Sequence, residues 1–187
     1  ENAKANHSLV IGPWDHAVTR TPQKTVGGMT FGDASLLDMN KLHREWYDWT
    51  MKTGPKPEFL KKRVAYYVMD TDEWKYADSV DEIATEVRCY YLDSLNGSAN
   101  DVFHSGLLTT QKPGQSKPDQ YVYDPLDTRS GEMELKANPD YIFDQTAALN
   151  LFGNGLVYHT EPFSEDTEVS GYVKLTTYIE LDVPDTD

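Results

Sequence analysis

The chain has 187 residues, a single cysteine and a formal charge of −14, with 31 acidic against 17 basic side chains. An acidic excess of that size repels a phosphate backbone and argues against nucleic acid as a partner. No stretch approaches the roughly 18 apolar residues of a membrane span, and Cys89 has no second cysteine with which to close a disulfide.

The chain is long enough for one or two domains, and its acidity reads first as a solubilising surface. The first element is the apolar run Ser8 to Ile11, broken at Gly12-Pro13, which delivers Trp14, Asp15 and His16 onto a loop. A strand already under way so near residue 1 predicts a piece cut from a larger protein. Glu1-Asn2-Ala3-Lys4 is polar and resembles no secretory leader, which in a cut chain leaves localisation open. Next comes "FGDASLLDMNKLHREWYDWTMKTGPKP", where Met39, Leu42, Trp46 and Trp49 recur at three- and four-residue spacing and form one helical face. Asp33 or Ser35 is expected to cap this helix, with Asp38 completing a capping-box-like pattern from Ser35, and Gly54, Pro55 and Pro57 stop it. "VAYYVM", Val64 to Met69, is a second strand; like the first, it lacks polar alternation, as parallel strands covered on both faces do. Strand, crossover helix and strand make a βαβ unit belonging to a larger α/β sheet.

After about Lys75 the helical period is lost. "VRCYYLDS", "GLLTT", "QYVYDP" and "GLVYHTEPF" are short, rich in Tyr and Val, and separated by turn-forming clusters. In "YVKLTTYIELDV", residues 172 to 183, Val173, Leu175, Thr177, Ile179, Leu181 and Val183 alternate with Tyr172, Lys174, Thr176, Tyr178, Glu180 and Asp182. One buried and one wet face are expected there, as in an antiparallel strand of a sandwich or jelly roll. "PDTD" comes after it with no return strand, so the second end also reads as cut. The fold class is thus α/β plus all-β, with residues 1–75 the end of an α/β domain and 76–187 the first part of a β-sandwich domain.

His16 stands just beyond the carboxyl end of the first strand, where open parallel sheets collect ligands and catalytic groups. Imidazole suits proton transfer near neutral pH, although a loop histidine standing alone is more often structural. The carboxylates of "DTDEW", Asp70, Asp72 and Glu73, lack the glycine and distal glutamate of a calcium loop. His7, His43, His104 and His159 have no ligand-pair spacing, so no metal site is read. Tyr121, Tyr123, Tyr172 and Tyr178 keep open an alternative, a non-catalytic carbohydrate- or partner-binding module, although alternating tyrosines ordinarily pack.

"IGPWDH" resembles the G-P-W-x-H element carrying the catalytic histidine of X-Pro dipeptidyl-peptidase and cocaine-esterase-like serine hydrolases. Further stretches match in order: "HREWYDWTMKTG" its following helix, "VAYYVMDTDEWKYADS" its strand and turn, "YVYDPLDT" its YxYDPxDP, and "LVYHTEPFSEDTEVSGYVKLTTYIELDVPDTD" the start of its C-terminal jelly roll. Asp70 stands where the family usually has Gly, Val80 where a Trp is common, Thr128 where Pro is common, and Ala17 where Gly or Ser often follows the histidine. The resemblance implies an α/β-hydrolase sheet ending near residue 75, then a partial jelly-roll (galactose-binding-like) sandwich. It also implies a triad in the order Ser, Asp, His, with His16 as general base and acid and with Trp14 shaping or binding beside it, or else packing beneath the loop. No serine here lies in a G-x-S-x-G elbow, Ser98 included, so nucleophile and acid are expected upstream of Glu1. The implied parent is a hydrolase of acyl esters, amides or X-Pro peptide bonds needing no cofactor, and this piece alone is expected to be inactive. A chain cut through two sheets is also expected to self-associate or to need the missing segments.

Overall fold

The computed structural model describes residues 7–16, 19–94, 99–100, 105–115, 117–137 and 152–184. The first sheet is built around β4 (Val64–Val68), whose "VAYYV" favours a pleated, packed strand. β1 (Leu9–Ile11) lies parallel to it, pairing Leu9 with Val64 and Ile11 with Tyr66. β5 (Glu73–Ala77) lies antiparallel on its other edge, from Val64 opposite Ala77 to Val68 opposite Glu73. Successive side chains of a strand point to opposite faces, and both faces of β4 are covered. Val64, Ala77 and Ile83 cluster with Tyr66 and Val80, while Val26, Phe31 and Tyr67 cluster with Ala34 and Trp74.

The chain from β1 to β4 carries a small hairpin of β2 (Thr25–Val26) and β3 (Met29–Thr30), a 3-10 turn at Asp33–Ser35, and α1 (Met39–Met51). The parallel strands and intervening helix expected from the sequence are present in this stretch. Leu42 is buried and Met39, Trp46 and Trp49 are half-buried, which is the expected apolar face. The expected cap is corrected: Asp38, one residue before the helix, accepts the Lys41 N–H at 2.8 Å. Asp33 and Ser35 belong to their own turn, in which the Ser35 hydroxyl is spent on the Gly32 carbonyl at 2.7 Å. The helix closes where the Asp48 carbonyl accepts both the Lys52 and Gly54 N–H groups.

β1 also departs from expectation. Leu9 and Ile11 are exposed because β4 is the only strand paired with β1 among the described residues, leaving it an edge rather than a covered strand.

The second half of the chain is β-rich. β6 (Tyr91–Asp93) pairs antiparallel with β7 (Gly106–Thr109), which pairs in parallel with β8 (Tyr158–His159). Gly106 permits that approach, since a Cβ there would run into the Tyr158 ring. The Tyr158 hydroxyl donates to Asp119 at 2.6 Å, and burial first, then this carboxylate, raises its pKa. β5 is tied to the later chain by Lys75 and Glu168, 2.5 Å apart, an ion pair that holds the Glu168 carboxyl below its ordinary range.

Two expectations for this half are corrected. A helix, α2 (Arg129–Ala137), lies where the sequence reads as strands and turns. It is organised at its start by local polar bonds, Thr128 to Glu132 at 2.8 Å and Asp127 to Arg129 at 2.6 and 2.7 Å, while Leu135 is exposed. Residues 172 to 183 pair with no strand among the described residues, and Val173, Leu175, Ile179, Leu181 and Val183 are exposed with Tyr172 and Tyr178. The alternation is real in the sequence, but a face is buried only when another layer packs on it.

Candidate functional site

Because β1 and β4 are parallel, the loop after Ile11 and the turn after Val68 emerge at the same end of the sheet. This is the end at which ligands gather in open α/β sheets. The loop bends at Gly12, where a Cβ would overlap the Trp14 ring, and at buried Pro13. Trp14 is half-buried, donates its indole N–H to the Ser35 carbonyl at 2.9 Å, and packs on Trp74 with centroids 5.8 Å apart. Trp74 in turn donates to the Ala34 carbonyl at 2.7 Å and meets Phe59 and Tyr67 edge-on at 5.0 and 5.7 Å. These contacts hold the Trp14 ring between the Asp33–Ser35 turn and Trp74.

His16 comes two residues later in an exposed turn, its carbonyl accepting the Thr19 hydroxyl at 3.0 Å. The turn after β4 contributes Asp72. One oxygen of its carboxylate accepts the Ala34 N–H at 3.0 Å and the Tyr67 hydroxyl at 2.9 Å. Burial, then this bond, raises the Tyr67 pKa. Asp72 and Asp70 hold φ of 54° and 67°, in the left-handed region, which Asp enters more readily than most side chains. The structure thus brings Trp14, the Asp33–Ser35 turn, Tyr67, Asp72 and Trp74 together beside His16's loop.

The sequence points to His16 and Trp14, but in it Asp72 reads only as a solvated carboxylate or poor metal ligand, and Tyr67, Ser35 and Trp74 do not stand out. The one signal it offers is the spacing Asp70-x-Asp72-x-Trp74 directly after an apolar strand, a turn composition ending in a large aromatic. Elsewhere, Ser105 Oγ lies 2.6 Å from His159 Nε2, but His159 is exposed and its Nδ1 faces the Thr160 carbonyl at 3.2 Å instead of a carboxylate. That contact fastens β7 to β8. Tyr121, Tyr123, Tyr172 and Tyr178 are exposed on segments outside the strands, and His104 lies outside the described residues.

The later part of this chain, residues 59–187, matches the family described as the X-Pro dipeptidyl-peptidase C-terminal non-catalytic domain. The chain belongs to that family. Its match to the X-Pro dipeptidyl-peptidase domain begins at Phe59, so it takes in β4 and β5 and leaves the His16 loop and α1 ahead of it. Over its whole length the chain is 27% identical to the cocaine esterase of Rhodococcus sp. (strain MB1 Bresler). It spans about a third, 32%, of the length of that curated relative. The likeness to X-Pro dipeptidyl-peptidases and cocaine esterase agrees with the resemblance read from "GPWDH", "VAYYVM" and "YVYDPLDT". Both are hydrolases by name, and the β-rich second half fits the X-Pro dipeptidyl-peptidase C-terminal domain.

Proposed function

We propose that the chain is part of a serine hydrolase that cleaves acyl esters, amides or X-Pro peptide bonds, with His16 as its general base. The observation that carries this reading is the placement of the "GPWDH" loop at the carboxyl end of β1, beside the turn that follows the parallel strand β4. Whole-chain likeness to a cocaine esterase supports it, and covers the loop that precedes the family match.

In this mechanism a serine hydroxyl from the preceding part of the protein attacks the substrate carbonyl while its proton passes to His16. The imidazolium then gives that proton to the departing alcohol or amine as the C–O or C–N bond breaks, leaving an acyl-enzyme. Water repeats the sequence, with His16 again the base, to release the acid. A carboxylate from the same preceding part orients the imidazole, following the hydrolase order Ser, Asp, His. Trp14 shapes the cleft by fixing the loop on which His16 stands. The α/β-hydrolase assignment of residues 1–75 and the jelly-roll assignment of 76–187 belong to the same proposal. Residues 1–187 alone, lacking the nucleophile, are expected to be inactive.

The test compares the full-length protein with its His16→Ala variant on a short-chain aryl ester and a Gly-Pro amide. Wild type should turn over one of the two, and the folded variant should lose about 10⁴-fold or more in kcat. Turnover of the variant at the wild-type rate would overturn the assignment. The preferred substrate separates esterase from dipeptidyl-peptidase.

A further inference from the structure

We propose that Asp72 is a positioning residue for the His16 general base, acting through the 3-10 turn Asp33–Ser35 and Trp14. This rests on the proposed role of His16 and adds to it the device that sets the loop's place. Asp72 and His16 lie far apart in sequence and on different loops, but a continuous set of bonds joins them. Asp72 Oδ1 accepts the Ala34 N–H at 3.0 Å and the Tyr67 hydroxyl at 2.9 Å, so the carboxylate ties β4 to the 3-10 turn. That turn's next two carbonyls are both occupied by indoles: Ala34 O by Trp74 at 2.7 Å and Ser35 O by Trp14 at 2.9 Å. The two indoles also pack on each other. Trp14 is therefore held by its indole N–H and by its packing on Trp74, and His16 stands two residues beyond it.

The surrounding backbone is cut to this carboxylate. Gly32 opens the 3-10 turn, and a Cβ there would fall on the Asp72 carboxyl group. Ser35 is fully buried, with its hydroxyl satisfied by Gly32, so the turn has little freedom to move independently of Asp72. General-base catalysis depends on reach to within hydrogen-bond distance of the nucleophile, and misplacement by about 1 Å can cost about 10²-fold. A residue that never touches substrate can thus control the rate by fixing where the imidazole stands.

The experiment uses the full-length protein and a fluorophosphonate, which reacts with a serine nucleophile only as fast as its base activates it. Labelling rates and kcat and KM for a short-chain aryl ester are measured for wild type, His16→Ala, Asp72→Ala, Asp72→Asn and Gly32→Ala, each with its thermal midpoint. Asp72→Ala and Gly32→Ala are expected to label and turn over about 10- to 100-fold more slowly. KM should change little, and so should the fraction of enzyme that finally labels. Asp72→Asn, which keeps an oxygen acceptor at the same place, should remain within about threefold of wild type, and that rescue separates positioning from charge. Should Asp72→Ala not fold, Asp72→Asn and Gly32→Ala carry the same comparison. Wild-type rates in Asp72→Ala or in Gly32→Ala, or an Asn variant as slow as the Ala variant, would overturn the positioning role while His16→Ala still loses labelling. Undiminished labelling of His16→Ala would instead overturn the catalytic reading and this inference with it.

Discussion

At the scale of single residues, the turn between β4 and β5 shows how one backbone angle selects a side chain. Asp70 occupies φ of 67° at a position where the resemblance places glycine. Left-handed backbone is free for glycine, tolerable for Asp, and costly for a branched side chain whose Cβ meets the following carbonyl. Asp for Gly is therefore an exchange that this geometry admits. Asp70→Gly is expected to leave stability within about 0.5 kcal/mol of wild type, since relief of the strained angle is offset by greater freedom in the unfolded chain. Asp70→Val should lower it by about 1–2 kcal/mol. Denaturant midpoints of the full-length variants check this, and a Val variant as stable as the Gly variant would contradict the assigned strain. The loop that carries Trp14 and His16, placed directly after β1, was legible because its motif is contiguous. Asp72 was not, because its partner Ala34, 38 residues away, is brought to it only by the crossover between parallel strands.

At the scale of elements, the two helices differ in what forms them. α1 has a buried stripe through Leu42 and a side-chain cap at Asp38, and a periodic apolar pattern reveals such a helix in advance. α2 is secured at its start by Asp127, Thr128 and Glu132, through bonds among close neighbours in the sequence. Arg129, by hydrogen bonding and charge, lowers the pKa of Asp127 from 3.8 to about 2. Because the folded value lies below the unfolded one, the contribution of the Asp127–Arg129 ion pair is complete above about pH 4. It should be lost as pH falls through about 2. Carboxyl carbon shifts of Asp127 followed by NMR should titrate near pH 2, and Arg129→Ala should return the midpoint toward 3.8. An unshifted Asp127 in the wild type would remove this account of how α2 begins.

At the scale of the whole molecule, burial is concentrated on the two faces of β4 and β5, while apolar side chains from Val169 to Val183 stay in solvent. Exposed apolar surface of that extent favours association, and unpaired strand-forming backbone offers hydrogen bonds to another chain. The charge of −14 opposes it. Residues 1–187 expressed alone are therefore expected to self-associate, more strongly at about 0.5 M salt, where screening shortens the reach of the repulsion to a few ångströms. Sedimentation velocity at low and high salt tests this. A monodisperse monomer under both conditions would show that the exposed face is not adhesive.

The sequence alone determined what is encoded locally: the apolar strand and its Gly-Pro break before His16, the face and stop of α1, the loss of helical period near Lys75, and a family resemblance carried by contiguous motifs. Each depends on neighbours along the chain, where residue type and spacing act directly on the backbone. Only the tertiary structure decided which strand would be an edge and that Asp72 would reach the Asp33–Ser35 turn. It also decided that residues 172–183, for all their alternation, would pair with no strand among the described residues. Burial and long-range hydrogen bonds depend on which segments the fold brings together, and that information is spread over residues too distant for a local pattern to record.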